Sequence, residues 1–253
     1  MANTDDGSVS VIDLLARQTT HTIAVGSRPG ALEVSPDGKM LLVSNRGSDS
    51  VSILDLTALA VLAEVKVGSQ PGPLAILPDS SQAFVANAGS GTVSAVDLRS
   101  RKLLTHMETG KTPAALALKP DGGELFVMNF DANSVAIVNT FADEVAESLR
   151  AGLHPSQAVV DRSGTLLYFT NFGSNNVSIV EINSRKVLAS VEVGTGPDAL
   201  ALTPDGRYLL VLNSQSNDLA VVDTAKQSLV TVVPVGQYPR ALAIQAIPAP
   251  VGP

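Results

Sequence analysis

One short stretch of the sequence, AGLHPS at residues 151–156, combines side chains that could do chemistry. His154 is one of only three histidines in the 253-residue chain, and Ser156 follows it two positions later. An imidazole can act as the base toward a hydroxyl nucleophile, and Asp198 supplies a carboxylate that could pair with the imidazole. A hydrolytic triad also needs an oxyanion hole, and no sequence motif indicates one. The elements that carry these residues must therefore be identified first.

The AGLHPS stretch is one of six copies of a repeat. Its other copies, VGSRPG, VGSQPG, TGKTPA, VGTGPD and VGQYPR, recur at a constant spacing of 42 residues. Each copy is followed by apolar runs of about five to seven residues that are separated by turn residues, among them PDG at 36–38, 120–122 and 204–206. The pattern predicts four strands per repeat.

Four-stranded units at this period predict an all-β fold, a β-propeller of six four-stranded blades. The first run of a copy is almost continuously apolar, as in ALALK at 115–119, so we expect sheets with neighbours on both faces. An open solenoid is the alternative, and it would need capping repeats at both ends. We assign a single domain, 1–253, with blades at 26–67, 68–109, 110–151, 152–193 and 194–235 and a closing blade made of 236–253 plus 1–25.

We expect the ring to close by pairing of the N- and C-terminal segments. The start, MANTDDGSVSVIDL, aligns with the second half of a repeat, and VGQYPRALAIQ aligns with the first half. Residues 246–253 carry three prolines where a second strand would lie, and proline cannot donate to an interior ladder. The closing blade is therefore expected to have three good strands.

The second strand of each repeat ends in a recurring motif: LVSN (42–45), FVAN (84–87), FVMN (126–129), YFTN (168–171) and LVLN (210–213). Together with the GxxPxAL entry, this motif resembles the YVTN repeat family of β-propellers over essentially the whole chain. The resemblance implies an extracytoplasmic protein of a bacterium or archaeon, in the periplasm, at the cell surface or secreted. It implies little about activity, because one fold serves many functions.

Six copies in one chain provide an internal control, since a residue type shared by the blades is architectural and a departure is a candidate for function. The position before each repeated proline, here called the pre-proline position, is different in every copy: Arg28, Gln70, Thr112, His154, Gly196 and Tyr238. Two residues on, Gly30, Gly72, Ala114, Ser156, Asp198 and Arg240 also vary. These connections should surround one mouth of the central channel, where propeller sites usually lie. We predict ligand-binding roles for Arg28, Gln70, His154, Asp198, Tyr238 and Arg240.

Two adjacent blades place aromatic residues directly after the family asparagine. Phe130 follows Asn129 and Phe172 follows Asn171, and His154 lies on the connection between these blades. The rings either form an exposed patch for ligand stacking or fold back over a blade interface. We include Phe130 and Phe172 among the predicted ligand-binding residues.

Two departures fall on the inner strands. Glu33 replaces the Ala or Val of the other copies, and its carboxylate must reach the channel or find a partner. Lys119 and Asp161 occupy equivalent positions of consecutive blades, where we expect a structural ion pair.

The composition limits the possible partners. A net charge of −7 disfavours nucleic acid, because phosphate binding depends on Lys and Arg. The chain has no cysteine, so thiolate metal sites are excluded. No apolar stretch approaches a membrane span. The N-terminus lacks the basic and hydrophobic regions of a signal peptide, so we expect that any export signal has been removed or never existed.

The sequence thus favours a non-catalytic propeller that binds a protein, a glycan or a small molecule at the loop face, with no metal or other cofactor predicted. The alternative is a lactonase- or lyase-like hydrolase with a metal in the channel mouth, for which His154 and Asp198, with Glu33 deeper in the channel, would be the ligands. A third hypothesis makes the chain one module of a larger surface protein. Otherwise we expect a monomer.

Overall fold

The computed structural model describes residues 1–244, which form six antiparallel β-sheets and no helix. None of these residues therefore lies in a helix that could cross a membrane. The described residues form two compact units, Met1–Arg150 and the residues from Ala151 onward. The boundary coincides within one residue with the junction between two sequence repeats.

The first unit contains four of the sheets. Their strands, in chain order, are β1 (Ala2–Asn3), β2 (Ser8–Asp13) and β3 (Gln18–Ala24) in the first sheet, β4 (Pro29–Val34), β5 (Met40–Asn45), β6 (Ser50–Asp55) and β7 (Ala60–Lys66) in the second, β8 (Pro71–Ile76), β9 (Gln82–Asn87), β10 (Thr92–Asp97) and β11 (Lys102–Glu108) in the third, and β12 (Pro113–Leu118), β13 (Glu124–Asn129), β14 (Ser134–Asn139) and β15 (Glu144–Arg150) in the fourth.

The second unit contains two sheets of the same design. Their strands are β16 (Pro155–Val160), β17 (Leu166–Asn171), β18 (Asn176–Glu181) and β19 (Lys186–Glu192), then β20 (Pro197–Leu202), β21 (Tyr208–Asn213), β22 (Asp218–Asp223) and β23 (Ser228–Pro234). In every four-stranded sheet, the strands pair in chain order. The predicted four strands per repeat are confirmed in the five complete blades.

The sheets stack face to face through apolar side chains within each unit. One core cluster joins the second and third sheets and includes Leu42, Ile53 and Val85, all fully buried. In the second unit, Ile179 of one sheet belongs to the same cluster as Val211 of the next. This burial of whole faces is the main stabilising contribution, because it scales with the apolar area removed from water.

The most deeply buried strands are the second and third of each sheet, although the first strand has the most continuous apolar run. The core of β9 and that of β13 are fully buried, whereas β8 and β12 keep several partly exposed residues. The first strand pairs with only one neighbour and so lies at an edge of its sheet. A continuous apolar run therefore does not distinguish an edge strand from a central one.

Within residues 1–244, the blade expected to close the ring has three strands, all from the N-terminal residues, and the strand that it lacks is the first rather than the expected second. The inner strand was expected from the C-terminal segment, and residues 235–244 lie outside any strand. The prediction about the prolines at 246–253 falls outside the described residues. The organisation of residues 1–253 as a single domain stays a prediction.

Candidate functional site

The pre-proline positions are held by backbone hydrogen bonds on both sides. The Gln70 N–H donates to Asp49 Oδ1 at 2.9 Å, and the Gln70 carbonyl accepts from the Ala88 N–H at 3.1 Å. The second unit repeats the arrangement at Gly196, whose N–H donates to Asn175 Oδ1 at 3.0 Å. The main chain of these connections is fixed by residues of the loops around it, whatever side chain stands at the pre-proline position.

This frame forces the pre-proline residue into the left-handed backbone region. All six residues at this position have φ between 50° and 65°. Only Gly196 adopts that conformation without cost, and Thr112 is β-branched and least suited to it. In the turn after the first strand, by contrast, the protein fills the left-handed position with glycine in four of five blades, Ser80 being the exception.

In the first unit, two pre-proline side chains bond to side chains of neighbouring loops. Arg46 Nη2 donates to Gln70 Oε1 at 3.1 Å, which links one blade to the connection of the next. Thr112 Oγ1 donates to Asp131 Oδ2 at 2.6 Å within a single blade. Sequence analysis missed both partners. Arg46 stands in the same repeat position as the two selected phenylalanines, so the internal control could have found it.

A shallow cavity of about 540 Å³ lies beside the Thr112 and Asp131 pair. Its walls come from the loop that follows β9 and the connection from β11 to β12, and they include Ser90, Glu108 and Lys111. Both charge signs and several hydroxyl groups are present. The cavity can therefore accept a polar ligand without one dominant charge.

In the second unit, His154 and Phe172 lie close to the same turn. The Phe172 N–H donates to the His154 carbonyl at 2.9 Å. The His154 ring lies against Gly173, where an added Cβ would come within 3.0 Å of Nδ1. The Phe172 ring lies against Gly196, since a Cβ there would be 3.2 Å from Cε2. Phe172 therefore covers the next blade's turn and is half-buried, as is Phe130 in the first unit.

The structure gives Ser156 a structural role. Its side chain is buried, and Oγ donates to the Pro197 carbonyl at 3.1 Å and lies 2.9 Å from Thr170 Oγ1. Asp198 makes no hydrogen bond or ion pair with any other residue of the described part of the chain. The imidazole and carboxylate pair considered for His154 and Asp198 is thus not formed. Asp198 therefore does not supply the carboxylate that a hydrolytic triad requires.

The remaining predicted site residues are open to solvent. Arg28 and Gln70 are exposed in the first unit, and Tyr238 and Arg240 are exposed in the second. The Tyr238 N–H donates to Asn217 Oδ1 at 2.7 Å, so its main chain is held as at the other connections. These side chains are available to a ligand, whereas their backbones are fixed.

The sequence singled out three charged residues on the inner strands: Glu33, Lys119 and Asp161. Partial burial on β4 raises the pKa of the Glu33 carboxyl, although the side chain keeps contact with solvent. Lys119 Nζ lies 3.1 Å from Asp121 in its own turn. Asp161 Oδ1 accepts the Thr165 and Leu166 N–H groups of its own turn. Each of these two residues thus has a partner within its own turn.

The turns at the other end of the strands hold carboxylates for structural reasons. The Ser35 hydroxyl and then the Lys39 N–H lower the pKa of Asp37, and the Gly123 N–H lowers that of Asp121. The Thr203 hydroxyl does the same for Asp205. Within residues 1–244, no three His, Asp or Glu side chains converge in a way that could hold a metal ion.

Comparison with known proteins identifies propeller families in both halves of the chain. The family model described as lactonase, 7-bladed beta-propeller, matches residues 3–102, and the model of the YNCE-like beta-propeller matches residues 145–248. Each match covers less than half of the chain. No curated protein matches the chain significantly.

Solved structures resemble the chain over most of its length. Kuenenia stuttgartiensis hydrazine synthase is similar with a TM-score of 0.75 and 23% identity, over 94% of this chain and 83% of that one. The dihydro-heme d1 dehydrogenase NirN, solved in complex with DHE, gives a TM-score of 0.77 and 20% identity, over 95% of this chain and 55% of that one. A functionally unknown protein from Desulfotomaculum acetoxidans gives 0.71 and 17%, over 85% of this chain and 74% of that one.

At these identities the likeness concerns the fold alone. Together with the family models, it confirms the prediction of an all-β, propeller-like fold. The six sheets fit a propeller of six blades.

Proposed function

We propose that this protein is a non-catalytic, extracytoplasmic propeller that recognises a protein, a glycan or a small ligand at its loop face. The observation that carries the proposal is the pre-proline position, where non-glycine side chains stand at positive φ in five of six blades. The residues proposed to meet the ligand are Arg28, Gln70, Phe130, His154, Phe172, Asp198, Tyr238 and Arg240.

Backbone strain is the first support for this proposal. A left-handed conformation costs a non-glycine residue on the order of 1 kcal/mol. The same conformation recurs in the turn before the last strand of every blade, as at Arg17 and Leu59, so strain supports a functional role only together with the variety of side chains. Glycine would remove that cost at Gln70 or His154, as it does at Gly196. The variety of side chains on an invariant main-chain frame is typical of recognition loops on a rigid scaffold.

The chemistry of the positions is the second support. Arg28, Tyr238 and Arg240 are exposed, and Tyr and Arg are the side chains that most often anchor binding interfaces. Gln70 and Thr112 are oriented by Arg46 and Asp131, so their polar groups are already positioned. Preorganised groups lose less entropy when a ligand binds.

One observation favours a second function. The match of residues 3–102 to a lactonase propeller family supports a lactone hydrolase with a metal in the channel mouth. Such an enzyme would polarise the lactone carbonyl or activate water, and it needs several oxygen or nitrogen ligands at one place. Ser156 is engaged by Thr170 and Pro197, which leaves this alternative to depend on metal chemistry.

The experiment compares the two functions on the same protein. The purified chain is applied to a glycan array and a peptide array, and in parallel it is incubated with an acyl homoserine lactone and calcium, manganese or zinc. Saturable binding that a Gln70→Gly and Tyr238→Gly double variant loses supports the proposal. Metal-dependent lactone opening by the wild type would overturn it, as would binding that the double variant retains.

We also propose that the blades are YVTN-type repeats and that the ring closes through its termini. The repeat register that pairs Ala199 with Leu212 predicts a pairing of Ala241 with Ala2. Because the chain has no cysteine, an Ala2→Cys and Ala241→Cys variant offers a clean test. Rapid formation of an intramolecular disulfide supports closure, and its absence under oxidation contradicts it.

Localisation and assembly are part of the same proposal. A YVTN-type propeller outside the cytoplasm, acting as a monomer or as a module of a larger surface protein, agrees with the regular blades and the acidic net charge. Cell fractionation with an antibody against the chain tests the compartment. Light scattering on the eluted protein tests the monomer.

A further inference from the structure

The second strand of one blade carries a hydroxyl where every other complete blade has a hydrocarbon. The position is occupied by Tyr168 on β17, and its equivalents are Leu42, Phe84, Phe126 and Leu210. Tyr168 is only 2% exposed and belongs to the cluster that joins the two sheets of the second unit. Since phenylalanine fills the same position in two blades, packing alone does not require the phenol oxygen.

The phenol oxygen of Tyr168 has no hydrogen-bond partner within the described chain. The oxygen is not fully shielded from solvent, so its hydroxyl can exchange a water for an acceptor on a bound molecule. Burial and, less strongly, the charge of Asp161 raise the pKa of Tyr168 to about 12, so the group keeps its proton. Tyr168 therefore offers an unused hydrogen-bond donor inside the second unit.

Tyr168 lines a cavity of about 920 Å³ in this unit. We call it the β16–β20 cavity, because its walls come from these two strands and the turns that follow them. Val159, Leu166, Leu200 and Leu202 contribute hydrocarbon to its surface. The cavity is large enough for a small molecule, since ligand sites typically occupy about 300–1,000 Å³.

The charged groups around the cavity restrict the ligand class. The carboxylates of Asp161 and Asp205 accept hydrogen bonds within their own turns, and both stay negative at neutral pH because these bonds lower their pKa. Their charge disfavours an anion near Tyr168, although Arg162 lies at the same turn. Their oxygens are also engaged by main-chain donors. An uncharged molecule agrees best with the apolar walls, the Tyr168 hydroxyl and lining charges of both signs.

We propose that the β16–β20 cavity binds a small uncharged molecule with an apolar body and one acceptor oxygen, and that the Tyr168 hydroxyl donates to that oxygen. This site is separate from the pre-proline positions, and it does not depend on the function proposed for them.

The test uses Nile red, an uncharged apolar dye with a carbonyl acceptor, titrated into the full chain and followed by its fluorescence. We expect saturable binding by the wild type and about a three- to tenfold loss of affinity in Tyr168→Phe, the size of one hydrogen bond. Tyr168→Phe should fold as well as the wild type, because phenylalanine occupies this position in two other blades. Tyr208→Phe removes a hydroxyl outside the cavity lining and should leave the affinity unchanged.

A second variant fills the cavity. Ala158→Phe places a ring among the lining residues and should abolish dye binding while its thermal unfolding stays cooperative. Equal affinity of the wild type and Tyr168→Phe, or no binding by the wild type, would overturn the proposal. Anilinonaphthalene sulfonate, an anionic dye, should bind more weakly and without dependence on Tyr168. Tighter binding of this anion with the same dependence would overturn the assignment to an uncharged ligand.

Discussion

Asp49 Oδ1 accepts a hydrogen bond from the Gln70 backbone N–H at 2.9 Å, and thereby the loop of one blade fixes the connection that enters the next. The same relationship joins Asn175 with Gly196 and Asn217 with Tyr238 in the second unit. A main chain held in this way tolerates different side chains at the pre-proline position. The connection thus separates the part of the loop that builds the fold from the part that can recognise a ligand.

The repeated glycine before this connection should be as important for stability as the proline. A Cβ at Gly68 would lie 2.5 Å from Ser90 Oγ and 2.7 Å from Asn87 Nδ2. We expect Gly68→Ala to lower the free energy of unfolding by about 1–3 kcal/mol, because the buried Asn87 amide and the Ser90 hydroxyl must shift. Gly72→Ala is the matched control, since nothing lies within 4 Å of its added Cβ. Urea unfolding of both variants checks the difference, and equal stabilities would contradict the close-contact explanation.

The family asparagines should differ in their contributions to stability. Asn87 Nδ2 donates to Thr92 Oγ1 and Ser94 Oγ, but its Oδ1 has no partner. Asn171 makes two equivalent donor contacts, and its Oδ1 also accepts the Gly152 N–H at 3.0 Å.

We therefore expect Asn171→Ala to cost about 1 kcal/mol more than Asn87→Ala, which is the size of one hydrogen bond. Chemical denaturation of the two variants measures the difference. A larger loss in Asn87→Ala would show that the unpartnered oxygen is not the distinguishing feature.

Glu33 should make stability depend on pH in the direction opposite to the turn carboxylates. Partial burial raises its pKa in the folded state, so folding favours the protonated form. That contribution is complete below the ordinary glutamate pKa of 4.5 and is lost as the pH rises through the folded pKa. We expect Glu33→Gln to be more stable than the wild type at pH 7 and equally stable at pH 4. Melting temperatures across this range provide the measurement, and a variant less stable at pH 7 would contradict it.

Much of the fold follows from the sequence because the repeat is so regular. Every complete blade has its four strands where the apolar runs predict them, and Asn45, Asn87 and their equivalents end the second strands. The burial of the first strands was not predictable from the apolar run in 115–119, since composition does not say which strand lies at an edge. The absence of a strand at residues 236–244 was also not predictable, because their sequence aligns with the segment that forms the first strand in the other repeats.

The candidate site is less accessible to sequence reasoning. Aligning the copies identifies which positions vary, but it cannot show that His154 or Gln70 stands at positive φ. It also cannot show that Ser156 is engaged by Thr170 and Pro197, since these contacts join separate strands. Alignment of the five complete blades could have identified Tyr168, since it is the one residue with a hydroxyl at a position that otherwise holds Leu or Phe. Only the structure shows that this hydroxyl has no partner in the described chain and lines a cavity.

The central claim is that non-glycine residues are kept at the pre-proline position for ligand binding. A second left-handed position provides the control. Ser80 stands at φ 59° in the turn after β8, where the other blades have glycine. Ser80→Gly should leave the free energy of unfolding within about 1 kcal/mol of the wild type, because glycine removes the conformational strain but also removes the hydroxyl that accepts the Asp37 N–H at 3.1 Å. Its side chain lies away from the pre-proline connections, so ligand binding should not change.

The most direct measurement combines unfolding and binding in Gln70→Gly and His154→Gly. Both substitutions relieve the same backbone strain, which offsets the loss of side-chain contacts such as the Arg46–Gln70 hydrogen bond, so both variants should stay within about 1 kcal/mol of the wild type in urea. If the side chains are retained for recognition, affinity for the ligand selected on the arrays should fall at least about tenfold, as expected for loss of a binding anchor. Stable variants with reduced affinity are the predicted result. Unchanged affinity in both variants would contradict the account.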